Sequence, residues 1–348
     1  MIKIGIVGAS GYGGGELLRL LGRHPKAKVT LAVSGTYAGK PVSSAWPGQW
    51  KQSDLIFSPV DDGTQLQKCN VVFLAMDNGK AMTLAPRLLD AGVKIVDLSA
   101  DFRLKNVELY PEWYGFEHLC PKISDEAIFG LPELNRSEIK HARLIANPGC
   151  YPTAAILALA PLIENKAIRL ETIILDGASG VSGAGRSKFS LDYHYPELNE
   201  SYSAYKIAGT HRHTPEMEQS FTQLAQSEVK VTFTPHLAPM SRGILMTCYA
   251  NLIQKTTTER LQAMFKERYE SEPFVVIYEE GLPTTKHVLG SNRCHIGLKV
   301  DERTGRVVVI SAIDNLVKGM AGQAIQNMNL LFGIEESAGL SDIGGLWP

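Results

Sequence analysis

Ile2-Lys3-Ile4-Gly5-Ile6-Val7-Gly8-Ala9-Ser10-Gly11-Tyr12-Gly13-Gly14-Gly15 is the stretch whose reading decides the fold. Its first six residues form an apolar run that predicts a short buried strand, and a helical pattern from Glu16 to Gly22 follows the glycines. Strand, glycine turn and helix start are the parts of a dinucleotide site. Glycines let the backbone approach a pyrophosphate, and a helix N-terminus offers free N–H groups and the positive end of its dipole. Gly8, Gly11 and Gly14 are spaced G-x-x-G-x-x-G rather than G-x-G-x-x-G, so the context carries the reading more than the spacing does. A glycine-rich turn without a ligand is the alternative. On the dinucleotide reading, Gly8, Ser10, Gly11, Tyr12, Gly13 and Gly14 face the cofactor.

Working outward, the next strand, Val29 to Val33, ends at Ser34-Gly35-Thr36 with Lys40 close by. An NAD site usually places an acid there for the ribose hydroxyls. No acid is present, and Ser34, Thr36 and a nearby cation suit a 2′-phosphate, which points to NADP; a merely polar surface turn is the other reading. Val71 to Ala75 and Val93 to Leu98 read as further strands, with a helix from Lys80 to Ala91 between them and a last short strand at Leu144 to Ala146. Strands alternating with helices predict an α/β fold of Rossmann type, a doubly wound parallel sheet. Ligands of such sheets sit beyond the carboxyl ends of the strands, so Gly8, Ser99 and Cys150 are expected to share one crevice.

After residue 163 the texture changes. Thr172 to Asp176, Lys230 to Thr234, Gly243 to Leu252, His295 to Val300 and Arg306 to Ala312 read as strands joined by long Gly-, Pro- and Ser-rich connections. They predict an α+β domain with a mixed sheet. The segment Asn315 to Phe332 reads as a helix that returns to the first domain. The expected division is a nucleotide-binding domain over 1–149, completed by about 315–348, and a catalytic, substrate and oligomerisation domain over 150–314. Two domains suit 348 residues.

Composition excludes several classes. A net charge of −1 argues against a nucleic-acid or membrane-surface role. No apolar run approaches membrane-spanning length, and the glycine turn interrupts any secretory pattern at once. Cysteines at 69, 120, 150, 248 and 294 show no paired spacing, which suits a reducing cytoplasm and suggests no metal cluster.

Three segments carry chemistry. Asn147-Pro148-Gly149-Cys150-Tyr151-Pro152-Thr153 precedes the apolar helix Ala154 to Ile163, and Pro152 fits a first helical turn. Cys150 therefore sits at a helix N-terminus, where the dipole favours a thiolate and backbone N–H groups hold an oxyanion. These are the needs of covalent thiol catalysis on an acyl group, against the alternative of a structural cysteine. The loop Ser179 to Lys188 carries two cations among small residues and suits a phosphate or carboxylate, or else is a surface loop. Gly209-Thr210-His211-Arg212-His213-Thr214-Pro215-Glu216 sets two histidines and an arginine ahead of a helix, with Thr214 as the expected N-cap and Pro215 as its first residue. An acid/base group and an anion binder are the reading there. His-x-His also allows a metal or a purely structural pair, but no third ligand cluster is evident.

Together these runs resemble the N-acetyl-γ-glutamyl-phosphate reductases of arginine biosynthesis, within the semialdehyde dehydrogenases. The resemblance rests on the glycine turn, Leu98-Ser99-Ala100-Asp101-Phe102-Arg103, Gly130-Leu131-Pro132-Glu133-Leu134, Asn147 to Thr153, Val181 to Arg186, His211 to Glu216, Pro235 to Met240 and Asp314-Asn315-Leu316-Val317-Lys318-Gly319, in order over nearly the full length. Met76-Asp77-Asn78-Gly79 departs from the family's Pro-His-Gly type of loop and brings an acid near the cofactor. The resemblance implies that NADPH reduces N-acetyl-glutamyl 5-phosphate to the 5-semialdehyde, with phosphate released, through a Cys150 thioester. His211 is the first expected acid/base group and His213 the second. Arg103, Arg186, Lys188, Arg212 and Glu216 are expected on the substrate; Ser182, Gly183, Asn315, Lys318 and Gln323 join the cofactor side. It also implies a homodimer or homotetramer built through the second domain's sheet. The rival readings are aspartate-semialdehyde dehydrogenase, an aminoadipyl-phosphate reductase, and a non-catalytic NADP-sensing regulator.

Overall fold

The computed structural model describes residues 1–51, 53–61 and 63–340. The chain divides into two compact units. The first holds Met1–Pro148, Gly185–Ser187 and the segment from Met320; the second holds Gly149–Ala184 and Lys188–Gly319.

In the first unit, apolar runs rich in Val and Ile form β1 (Ile2–Val7), β2 (Ala27–Val33), β3 (Phe57–Ser58), β4 (Val71–Leu74), β5 (Lys94–Asp97), β6 (Ile128–Phe129) and β7 (Leu144–Ala146). They make one sheet in the order β3-β2-β1-β4-β5-β7-β6, with every pairing parallel. β4 is buried at all four positions, as a parallel strand covered on both faces should be. The order reverses direction between β1 and β4, which puts the ligand crevice of this sheet at their carboxyl ends. Gly8 (φ +80°) lies there, and a Cβ on it would collide with the Ala75 carbonyl.

The first helix spans Tyr12–Leu21, four residues earlier than its sequence pattern begins. Glycines at 13, 14 and 15 weaken a helix by about 1 kcal/mol each. They are used here because side chains do not fit: a Cβ on Gly13 would stand 2.8 Å from the Met320 sulfur, and Cβ atoms on Gly14 and Gly15 would strike the Gly8 carbonyl and the Trp46 ring. Close packing overrides propensity, so the pattern alone misplaces the start.

The second unit holds β8 (Ile174–Ser179), β9 (Ser203–Ala204), β10 (Thr232–Leu237), β11 (Ile244–Asn251), β12 (Val275–Ile277), β13 (Cys294–Asp301) and β14 (Arg306–Ile313), in the order β12-β13-β14-β11-β8-β10-β9. β10 runs parallel to β8 and β12 to β13, while the remaining pairs are antiparallel, so this sheet is mixed as expected. β8 and β10 each start two residues later than the apolar runs suggest. The helix Cys150–Glu164 is buried over Tyr151 to Ile163, on all sides, and packs on β11, β14 and the helix Thr214–Ala225. A helix apolar all round belongs in a core, and its N-terminus is thereby held rigidly.

The expected helix from Asn315 to Phe332 is two elements. A π-helical turn, Val317–Ala321, precedes an α-helix, Gly322–Leu331. Asn315 and Lys318 belong to the second unit, and only the part from Met320 joins the first. The end of the expected completing segment, 341–348, lies outside the described residues. Among the described residues no helix is long and apolar enough to cross a membrane.

Candidate active site

The first unit supplies a cradle. Gly8 and Ala9 N–H groups donate to the Val33 carbonyl (3.1 and 3.0 Å), and Gly11 N–H donates to Gly8 O (3.0 Å). These bonds fold the turn back on β2. Gly11 caps the helix Tyr12–Leu21, and a Cβ there would meet only the Gly8 carbonyl, at 3.4 Å. The first-turn amides of such a helix have no acceptor within it, so the turn fits a bound pyrophosphate. Gly13 and Gly14, in contrast, serve the packing of the helix. At the end of β2, the buried Ser34 hydroxyl pairs with Ser10 Oγ (2.7 Å) and accepts Tyr37 N–H (3.2 Å); Thr36 is exposed beside it. Trp46 donates from Nε1 to the Ala9 carbonyl (3.0 Å) and covers one side of the turn. The acid of the divergent loop is neutralised locally, since Asp77 ion-pairs at the surface with Lys80 (3.3 Å).

Several residues expected at the ligands are structural in this unit. Arg103, expected on the substrate, is buried and donates to the carbonyls of Asn147 (2.8 Å) and Leu98 (3.0 Å), so its guanidinium fastens the ends of β5 and β7. Gln323 is fully buried and donates to Gly130 O (3.0 Å), which removes it from the cofactor surface. Arg186, expected on the substrate, groups with the first unit and donates to Ser10 O (3.0 Å). Asp97 and Asp101 form a buried acidic pair. Burial, then the neighbouring Asp101 charge, pushes Asp97 up to about 7, while Asp101 accepts N–H bonds from Gly79 (2.6 Å) and Met82 (3.2 Å).

In the second unit, Cys150 is the first residue of its helix, with extended Gly149 as N-cap, and is half-buried. Two close approaches fix it. A Cβ on Gly319, in the π-helical turn, would stand 2.8 Å from the Cys150 Cβ. A Cβ on Gly149 would stand 2.6 Å from Nε2 of His213. π-turns often mark functional positions, and this one presses the backbone of Gly319 against the thiol residue.

The two histidine rings touch, edge to face with centroids 4.9 Å apart, but have different surroundings. His213 lies with its ring on Gly149, next to Cys150, and its Nε2 is 3.9 Å from Glu216 Oε1. Glu216 is fully buried and its other oxygen accepts Gly149 N–H (2.9 Å). It thus bonds the N-cap of the Cys150 helix and stands beside the His213 imidazole. His211 instead stands in an aromatic box of Tyr151, Tyr205 and Phe233, with ring centroids 5.3 to 5.6 Å away. Its Nδ1 accepts the His213 backbone N–H (3.1 Å). Burial, then Arg212 and Lys206, lowers its pKa to about 3. Of the two expected acid/base groups, His213 is thus the one packed on the N-cap of the Cys150 helix. The helix N-cap is also His213, with Thr214 inside the helix, so the expected Thr214 cap is corrected.

Cations gather near this cluster. Lys188 and Arg212 both depress the ammonium of Lys206, after burial, so the three lie within electrostatic reach of one another. Lys206 and Tyr205 escaped the sequence reading, because their loop has no periodicity. The Tyr205 hydroxyl is 3.4 Å from that of Tyr151, and burial pushes its ionisation up to about 12, with the Cys150 charge adding to it. Ser182, Gly183 and Asn315 come together as expected, but Asn315 is spent on structure: it donates to Ser182 Oγ (3.0 Å) and accepts Gly243 N–H (2.7 Å). Lys318 is fully buried, its ammonium 5.7 Å from the Phe274 ring, and does not line an open surface. Among the described residues no three metal-ligating side chains cluster.

Residues 3–142 match the family described as semialdehyde dehydrogenase, NAD binding domain, and 150–315 match semialdehyde dehydrogenase, dimerisation domain. The N-acetyl-gamma-glutamyl-phosphate reductase of Symbiobacterium thermophilum is 52% identical over 100% of this chain and 99% of its own length. That of Desulforamulus reducens is 49% identical over the whole of both chains. Among solved structures, aspartate semialdehyde dehydrogenase II of Vibrio cholerae complexed with ASA aligns with a TM-score of 0.72 at 16% identity, covering 96% of this chain and 98% of that one. The Candida albicans enzyme with NADP gives 0.71 at 16%, covering 95% and 98%. Identity that low speaks to the fold alone, and the fold agrees; the full-length relatives speak to more. The chain belongs to the semialdehyde dehydrogenase family and, within it, to the N-acetyl-γ-glutamyl-phosphate reductases.

Proposed function

We propose that this protein reduces N-acetyl-glutamyl 5-phosphate with NADPH to N-acetylglutamate 5-semialdehyde and releases phosphate, reversibly. The observation that carries the reading is the placing of Cys150 at the start of a buried helix, with the His213–Glu216 pair packed on its N-cap. His213 takes the thiol proton as Cys150 attacks the acyl carbon. The helix N-terminus stabilises the developing oxyanion, phosphate departs, and a thioester remains on sulfur. Lys188, Lys206 and Arg212 hold the phosphate and carboxylate charges of the substrate. When bound, NADPH supplies the hydride. His213 returns its proton to the sulfur as the thiohemiacetal oxyanion collapses to the aldehyde and expels the thiolate. Gly8, Ser10, Gly11 and Tyr12 hold the pyrophosphate, and Ser34 and Thr36 face the adenosine ribose.

The nucleotide binds to the unit of Met1–Pro148, Gly185–Ser187 and the segment from Met320, and the unit of Gly149–Ala184 and Lys188–Gly319 carries the catalysis, a division that differs from 1–149 and 150–314 at Gly149, at 185–187 and at 315–319. A homodimer or homotetramer assembles through the second unit's sheet, a reading supported by the dimerisation domain matched over 150–315. Every cysteine is a free thiol, which suits the cytoplasm. The test is oxidation of candidate aldehydes with NADP and phosphate. N-acetylglutamate semialdehyde should be turned over at least a hundredfold better, in kcat/KM, than aspartate or aminoadipate semialdehyde. A preference for either of those would replace the substrate, and no turnover of any of them would favour a nucleotide-sensing role.

A further inference from the structure

Arg186 occupies a seat that the active-site reading leaves unused. Its Nη1 donates to the carbonyls of Ser10 (3.0 Å) and Ala45 (3.3 Å). Its guanidinium carbon stands 4.5 Å from the centroid of the Trp46 ring and 5.8 Å from that of Tyr37. The Lys40 ammonium lies 5.9 Å from the same Tyr37 ring. The Tyr37 N–H in turn donates to the Ser34 hydroxyl, which pairs with Ser10 Oγ. One half-buried guanidinium, one exposed ammonium and two hydroxyls thus meet around Tyr37, at the carboxyl end of β2.

The charge there is unmatched. Among the described residues no carboxylate ion-pairs with Arg186 or Lys40, and only Nη1 of the guanidinium is engaged in a hydrogen bond. Carbonyl oxygens and ring faces hold a guanidinium in place without cancelling its charge. Nε–H and Nη2 keep the paired donors that match a phosphate bidentately. The aromatic faces fix the plane of the fork, which lowers the entropy lost when an anion binds.

We propose that Arg186, assisted by Lys40, binds the 2′-phosphate of NADP and sets the selectivity for NADP over NAD. The proposal rests on the NADP reading above and assigns that preference to a residue far along the chain from the glycine turn. Trp46 and Tyr37 are positioning residues for the guanidinium. The carbonyl of Ser10 ties it to the pyrophosphate turn, so phosphate and pyrophosphate are recognised from one frame.

Isothermal titration of the full chain with NADP, NAD and 2′,5′-ADP tests it without turnover. Wild type should bind NADP more tightly than NAD. Arg186→Ala should weaken NADP and 2′,5′-ADP about ten- to a hundredfold, the size of a lost charge-assisted contact, and leave NAD within about twofold. Arg186→Lys, which keeps the charge and loses the fork, should fall between, and decides the matter should the alanine variant not fold. Equal weakening of NADP and NAD, or no change in either, overturns the assignment; so does a raised KM for the acyl phosphate with cofactor affinity unmoved. A wild-type protein that binds NAD as tightly as NADP defeats the cofactor reading itself, and this proposal with it.

Discussion

Replacing each histidine of the His211-Arg212-His213 run by asparagine tests the order in which the family resemblance ranks them, His211 first and His213 second. His211 has its pKa lowered to about 3 by its aromatic box. At pH 7 only about one molecule in 10⁴ would carry it protonated, a cost of roughly 5 kcal/mol at 1.36 kcal/mol per unit. General acid/base catalysis typically contributes about 10²–10⁴ in rate, or roughly 3–5 kcal/mol. A cost of that size offsets the gain, which favours His213 as the proton carrier. His213 packs on Gly149 with its Nε2 3.9 Å from Glu216 Oε1, the placement the proposed proton carrier needs beside Cys150. His213→Asn should therefore lower kcat about 10²–10⁴-fold, with the melting temperature little changed. His211→Asn should lower kcat less than about tenfold, while costing about 1–3 kcal/mol of stability through the disturbed box. Steady-state aldehyde oxidation with NADP and phosphate over pH 6–9, beside thermal melts of the same samples, reads both. A well-folded His211→Asn protein that loses as much kcat as His213→Asn would refute the reasoning.

Gly319→Ala places a Cβ 2.8 Å from the Cys150 Cβ, where neither backbone can yield easily, and should lower kcat about 10–100-fold with NADP affinity unchanged by titration. Acid should destabilise the protein through His211: its folded pKa is depressed below the unfolded value, so its contribution is complete above about pH 6.5 and is lost as pH falls from about 6.5 towards 3. Urea midpoints measured across that range should decline, and the decline should be shallower in His211→Phe. Asp97 runs in the opposite direction, because a folded pKa raised to about 7 means stability lost as pH rises through that value. Asp97→Asn should accordingly gain in melting temperature at pH 8 relative to wild type, and show no gain near pH 4.

The fold was legible where one signal dominated. The alternation of apolar runs with helical patterns announced the parallel sheet, and the Cys150 motif announced its own helix start, because Pro152 and the apolar run both point the same way. What was missed needed distance information. The start of the first helix lies inside a glycine run, since Met320 and Trp46, far along the chain or in a loop, occupy the space that side chains would fill. The surroundings of the two histidines turn on which of them meets Gly149 and which meets Phe233; an extended stretch would send them to opposite sides, but residues 211–213 form a turn that brings the two rings to 4.9 Å. Arg103, Asn315 and Gln323 were expected at the ligands by resemblance, yet each donates to or accepts from backbone or side-chain groups of the protein that no local pattern reveals. Lys206 sits in an aperiodic loop at positive φ, and only folding brings it to Lys188 and Arg212.

The most direct test of the central claim omits the nucleotide. Mixing the protein with N-acetyl-glutamyl 5-phosphate alone should release one equivalent of phosphate per chain in a burst, and mass spectrometry should find the N-acetylglutamyl group on the peptide carrying Cys150. Cys150→Ser should show neither. A burst of equal size from Cys150→Ser, or an acyl group found on any other residue, would contradict a thioester formed at Cys150.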